Sequence, residues 1–169
     1  MKGGPRPKTL LLLRHGRSER EEPGAGDHDR PLTESGRADA RRIGLLLARE
    51  GPVPDRILCS TALRARDTAE RAARGAGVSG PILPEPRLYL ADPAGLAAAL
   101  REVPEPAGVV MLVGHNPGLE DLVQALTGRR VPLPPAALAR IDLPLGRWAD
   151  LAARTRGVLA GVRTPRDAV

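Results

Sequence analysis

Apolar residues fall along this chain in short blocks, spaced in turn like a buried strand and like one face of a helix. The first block, Thr9 to Leu13, holds four consecutive leucines and reads as a strand buried on both sides, as in a parallel sheet. Thr33 then offers an N-cap, Glu34 stands in the first turn, and Ala40, Ile43, Gly44, Leu46 and Leu47 recur at helical spacing up to Glu50, where Gly51 and Pro52 stop the helix. Arg56 to Ser60 is a second short apolar run, and an amphipathic helix from Ala62 to Arg74 follows, ended by Gly75. Ile82 and Leu83 lie among prolines, which predicts a short strand at a sheet edge. Asp92 caps a helix reaching Arg101, Val109 to Val113 is another buried strand, and a helix over Leu119 to Leu126 follows the turn Gly114 to Gly118. Ala137 to Leu143 and Arg147 to Ala152 alternate weakly about Pro144, Leu145 and Gly146 and predict a hairpin. Strands alternating with helices predict an α/β sandwich with a mostly parallel sheet, the hairpin supplying its antiparallel part.

A chain of 169 residues suits one domain. It is expected over 9–160, with a loose polar leader over 1–8 and a tail over 161–169. There is no Phe, with one Trp and one Tyr, so the core is aliphatic and aromatic platforms for stacking bases are nearly excluded. The net charge of +6 comes from arginines scattered along the chain. Without a concentrated patch or a binding motif it reads as a solvated basic surface, or as attraction for an anionic substrate; nucleic acid is not an expected partner. The single cysteine, Cys59, excludes an intrachain disulfide, fits a reducing compartment, and sits in the apolar run RILCS as a small core residue. The leucine run is shorter than a signal sequence needs and no stretch is long enough to span a membrane, so the cytoplasm is the expected location.

The chemistry gathers where strands end. Arg14 and His15 follow the first strand directly, with Gly16 behind them to let backbone approach a ligand; Ser60 and Arg64 follow the second, and His115 and Asn116 follow Val109 to Val113. Parallel neighbours bring such exits to one rim of the sheet, where open α/β sheets hold their ligands. Either histidine alone reads as a loop hydrogen-bonding group, and Arg64 alone as a solvated helix residue like Arg66 or Arg71. Converged, two imidazoles and two guanidiniums need an anion, and a tetrahedral phosphoryl group matches two Arg forks. Helix N-termini after Ser60 and Pro117 add oriented N–H groups. Glu19 to Arg30 has no periodicity and reads as a surface loop; its Asp27-His28-Asp29-Arg30 segment, lacking further ligand-spaced residues, reads as a solvated turn and not as a metal site.

Four segments in order, LLLLRHGRS, DRPLTESG, CSTALRARDTA and VGHNPG, resemble the histidine phosphatase superfamily, and the chain's short length resembles its SixA-type phosphohistidine phosphatases. The resemblance spans Thr9 to beyond Trp148. It implies a three-layer α/β/α sandwich of the phosphoglycerate mutase-like kind. By position it makes His15 the phosphoryl-accepting nucleophile, Arg14 and Arg64 the arginines that hold the phosphoryl group, and His115, taken as protonated, the second histidine of the pocket. Asn116 occupies a turn position beside substrate. The implied activity is removal of a phosphoryl group from phosphohistidine on a protein, through a covalent intermediate and without metal or cofactor, since the cationic pocket offsets the charge that magnesium offsets elsewhere.

One departure narrows the substrate. Members acting on phosphoesters carry an acidic proton donor in the stretch corresponding to Arg87 to Asp92, and Leu90 stands where that glutamate is expected. Asp92 and Asp29 are the remaining candidate donors, each also explained as a helix cap or a loop residue. The chain also lacks the long insertion that forms a lid in the mutase-like members, and an open site suits a phosphorylated protein. Three other readings are a phosphomonoesterase for small molecules, a phosphate-binding module that has lost catalysis, and a basic nucleic-acid binder.

Overall fold

The computed structural model describes residues 6–168. In chain order the elements are β1 (Lys8–Arg14), α1 (Glu34–Glu50), β2 (Arg56–Cys59), α2 (Leu63–Ala76), β3 (Ile82–Pro84), α3 (Pro93–Arg101), β4 (Val109–Gly114), α4 (Gly118–Thr127), β5 (Leu138–Leu143) and β6 (Val158–Arg163). They build a six-stranded sheet in the order β3-β2-β4-β1-β5-β6. β3, β2, β4 and β1 run parallel, while β5 is antiparallel to both β1 and β6.

The four leucines of β1 are all buried because side chains alternate across a sheet and both faces are covered. Leu10 and Leu12 join one core with α3 and α4, whereas Leu11 and Leu13 join the other with α1 and α2. This is the expected three-layer sandwich, and each fully buried leucine stabilises it by roughly 1.5–3 kcal/mol. α1 and α2 touch backbone to backbone: a Cβ on Gly44 would lie 2.2 Å from the Ala72 carbonyl oxygen, and one on Gly75 would lie 2.7 Å from that of Arg41. Gly75 is therefore a packing residue inside α2, and the helix ends two residues later than its glycine suggests, at Gly77 in the left-handed region.

Thr33 caps α1 and Asp92 caps α3 through their side chains, as expected. The expected hairpin is corrected. Arg147 to Ala152 is not the partner of β5; Trp148–Asp150 forms a 3-10 turn, and β6, further along, pairs with β5. Trp148 explains the difference: it is wholly buried, its indole N–H donates to the Ala107 carbonyl at 2.7 Å and its backbone N–H to Glu105 at 3.0 Å. The leader and tail also shrink. Lys8 is a buried member of β1, bonded to Glu105 and to the Ala107 carbonyl, and β6 runs to Arg163, past the expected domain end at 160. Residues 1–5 of the expected leader and 169 of the tail lie outside the described residues.

Strand register aligns the exits. Arg14 pairs with Gly114 and Cys59 with Val113, so His15, Ser60 and His115 leave three neighbouring strands at the same level.

Candidate active site

His15, Arg14, Arg64, His115 and Asn116 all line one open cavity of about 450 Å³ at this rim. Gly16 serves the placement differently from the expectation. A Cβ there would lie 2.7 Å from the Gly36 carbonyl oxygen, so it lets the first turn of α1 close on the loop and not a ligand.

His15 is buried, and its Nδ1 lies 2.7 Å from the Gly16 carbonyl oxygen. A carbonyl only accepts, so Nδ1 carries the ring proton and Nε2 keeps its lone pair. Burial lowers the His15 pKa to about 4, against the effect of the Gly16 bond and with help from Arg64, Arg14 and Arg30. At neutral pH the ring is neutral, in the tautomer that leaves Nε2 unprotonated.

His115 packs beside it, ring centroids 5.2 Å apart. Its Nε2 lies 2.7 Å from Ser60 Oγ, which also accepts the Ala62 N–H. Burial first, then His15 and Arg64, lower its pKa to about 3, so without an anion nearby His115 is neutral. Arg14 donates from Nη1 to the Leu133 carbonyl at 2.9 Å, and burial lowers its pKa. Arg64, 2% exposed, is gripped by Asp27: Nη1 donates to the Asp27 carbonyl at 2.7 Å and Nη2 to Oδ2 at 3.0 Å.

Four buried polar atoms among the described residues, Arg14 Nε, Arg64 Nε, His115 Nδ1 and Asn116 Oδ1, have no partner. Leaving such groups unsatisfied costs about 1–3 kcal/mol each, and a tetrahedral oxyanion offers an acceptor to the three nitrogens. α1 and α3 are capped by side chains, but α2 and α4, which begin at this rim, have no side-chain cap; the Ala65 N–H bonds to the Ala62 carbonyl and the Leu119 N–H to that of His115. Asn116 fits less well as a phosphate contact. Both of its amide protons are engaged, with Glu120 Oε1 at 2.8 Å and the Leu133 carbonyl at 3.0 Å, so only its acceptor oxygen remains for a substrate.

Neither candidate proton donor reaches the cavity lining. Asp92 Oδ1 accepts the Gly95 N–H at 2.8 Å as the cap of α3, and Asp29 is exposed beside His28. The carboxylate that does line the cavity is Asp27, from the segment expected to be a solvated turn. The Tyr89 hydroxyl donates to its Oδ2, and Tyr89 and Arg64 hold its pKa at about 2. Asp27 is thus ionised at any ordinary pH: it fixes Arg64 and has no proton to give. Tyr89 also sets its ring edge-on to His115 and to His28, tying the loop after β1 to the segment after β3. Leu90 lines the mouth, 60% exposed, with a left-handed φ of 52°. Cys59 is buried with its thiol pKa pushed up to about 11 by desolvation, the profile of an inert core residue. Among the described residues no group of three or more His, Cys, Asp or Glu side chains could hold a metal ion, and no helix is long and apolar enough to cross a membrane.

The profile of the histidine phosphatase superfamily (branch 1) matches residues 10–89. An uncharacterized Mycobacterium tuberculosis protein, Rv1276c, is 30% identical over 167 residues, covering 91% of this chain and all of its own (100%). An Agrobacterium tumefaciens structure described as a candidate phosphohistidine phosphatase SixA superposes with a TM-score of 0.79 at 31% identity, covering 95% of this chain and 99% of that one. The protein histidine phosphatase SixA complexed with tungstate shares the fold, with a TM-score of 0.80 at 24% identity over 95% and 99% of the two chains. The chain belongs to the histidine phosphatase superfamily, and its structure is SixA-like.

Proposed function

We propose that this protein is a metal-independent phosphatase that removes the phosphoryl group from phosphohistidine on a protein, by way of a covalent phosphohistidine at His15. The observation that carries the reading is the pairing of a neutral His15, its Nε2 lone pair set by the Gly16 carbonyl, with unpartnered N–H groups of Arg14 and Arg64 at the same cavity. In-line attack by Nε2 on phosphorus forms the N–P bond as the bond to the leaving group breaks; water then attacks phosphorus and releases inorganic phosphate, returning His15. Arg14 and Arg64 offset charge on the equatorial oxygens. His115, neutral beforehand, gains affinity for a proton once the anion sits against it, and so becomes a third donor. Cationic residues dominate the lining and its one carboxylate is committed to Arg64, a donor set unsuited to a hard divalent cation. Tungstate bound to a protein of this fold supports an oxyanion site.

The substrate class follows from the leaving group. Serine alkoxide departs only with a positioned acid, and the cavity offers an ionised Asp27 and an apolar Leu90. Imidazole, whose ordinary pKa is about 6.5, departs as a neutral or readily protonated base and needs no such acid. The test is a panel of phosphohistidine peptide, phosphoserine peptide and a simple sugar phosphate. The expected order of kcat/KM puts phosphohistidine first; a phosphohistidine-to-ester ratio below one moves the assignment to a small-molecule phosphomonoesterase.

A further inference from the structure

A trench of about 640 Å³ opens beside the phosphoryl cavity, and Arg17 and Pro135 line both, so the two form one continuous depression. Arg17 stands on a rigid footing: its carbonyl accepts the Thr33 N–H at 2.9 Å and the Thr33 hydroxyl at 3.3 Å, at the start of α1. The remaining walls include Arg42 of α1, Pro134, and Pro165 with Arg166 from the 3-10 turn Pro165–Ala168. That turn lies against α1, where Arg49 donates to the Asp167 carbonyl at 3.3 Å. The segment expected to be a tail therefore forms part of the surface beside the site.

Resting on the phosphohistidine reading above, we infer that this trench receives an acidic stretch of the substrate protein next to its phosphohistidine. Three arginines face one aspartate there, and Asp39 is already paired with Arg42 at 2.9 Å. Arg17 and Arg166 make no ion pair among the described residues, and the Asp167 carboxylate is occupied by the Thr164 N–H and hydroxyl. A positive surface with free guanidiniums favours carboxylates and speeds their encounter. The trench is of a size that holds a drug-sized ligand, more than one phosphate fills. Pro134, Pro135 and Pro165 present fixed rings without N–H groups, a preformed apolar wall against which an extended chain can lie.

The experiment is a factorial binding measurement by calorimetry at low salt. Four peptides carry either a stable phosphoryl-triazole analogue of phosphohistidine or plain histidine, flanked by either glutamates or glutamines. Each is titrated into the full chain and into an Arg42→Gln/Arg166→Gln variant, with inorganic phosphate as the probe of the deep cavity. The glutamate flanks should tighten binding roughly tenfold in the wild type, and the variant should lose most of that gain while its affinity for phosphate is unchanged. An equal affinity for glutamate and glutamine flanks, or a preference that survives in the variant, overturns the trench and leaves the phosphohistidine reading standing. A glutamate effect without any effect of the phosphoryl analogue does the reverse.

Discussion

Acid should unfold this protein in a window set by its two cavity histidines. His15 and His115 carry pKa values of about 4 and about 3 in the fold, lowered chiefly by burial, against about 6.5 in the unfolded chain. Between those limits the unfolded state binds protons that the folded state refuses. The stabilisation is complete above pH 6.5 or so and declines as pH falls. By pH 5 each histidine has withdrawn about 2 kcal/mol, so the pair removes about 4 kcal/mol, a large share of a typical domain's stability. Carboxylates do not blur this window: Asp27, Glu85 and Glu105 have lowered pKa values and lose their contribution only as pH falls below their unfolded values of 3.8 to 4.5. Urea unfolding at pH 7.5 and pH 5.0 measures the loss directly, and a His15→Gln/His115→Gln variant, neutral at both pH values, should lose nearly all of the difference. Saturating vanadate should also reduce it, since an anion in the cavity raises both pKa values. Equal wild-type stability at the two pH values, or an unchanged loss in the double variant, refutes the burial argument and with it the neutral state assigned to the nucleophile.

Three further substitutions test the roles given to Arg64 and Leu90. Arg64→Lys should lower kcat/KM roughly 100-fold with little change in the melting temperature, because an ammonium cannot hold Asp27 and a phosphoryl oxygen at once, whereas Arg71→Lys, whose 2.7 Å pair with Asp67 a lysine can reproduce, should be nearly silent. Leu90→Glu should raise turnover of phosphoserine peptides at least tenfold relative to phosphohistidine, by placing a protonatable carboxyl at the cavity mouth; an unchanged ratio in steady-state assays would place Leu90 away from the leaving group.

Much of the arrangement was legible where local pattern and geometry agree. The four leucines of β1 and the apolar run of β4 announce central strands, and once these are parallel neighbours the residues just beyond them, His15 and His115, must meet. Asp27 was not legible, because its partners Arg64 and Tyr89 lie 37 and 62 residues away and nothing in an aperiodic loop marks which carboxylate turns inward. β6 was missed for a related reason. It is an edge strand, exposed or half-buried throughout, so it carries little of the alternation that identifies a strand, while the segment around Trp148 is drawn into the core as a turn. The charge state of His115 depends on how deeply the ring is buried beside His15 and Arg64, which spacing along the chain does not encode.

The most direct test of the account is the fate of the phosphoryl group during a single turnover. Wild-type protein mixed briefly with a radiolabelled phosphohistidine peptide and quenched in alkali should carry an acid-labile, alkali-stable label on the peptide containing His15, and His15→Ala should be folded, unlabelled and inactive. Turnover without label on His15, or turnover that persists in His15→Ala, contradicts the covalent mechanism.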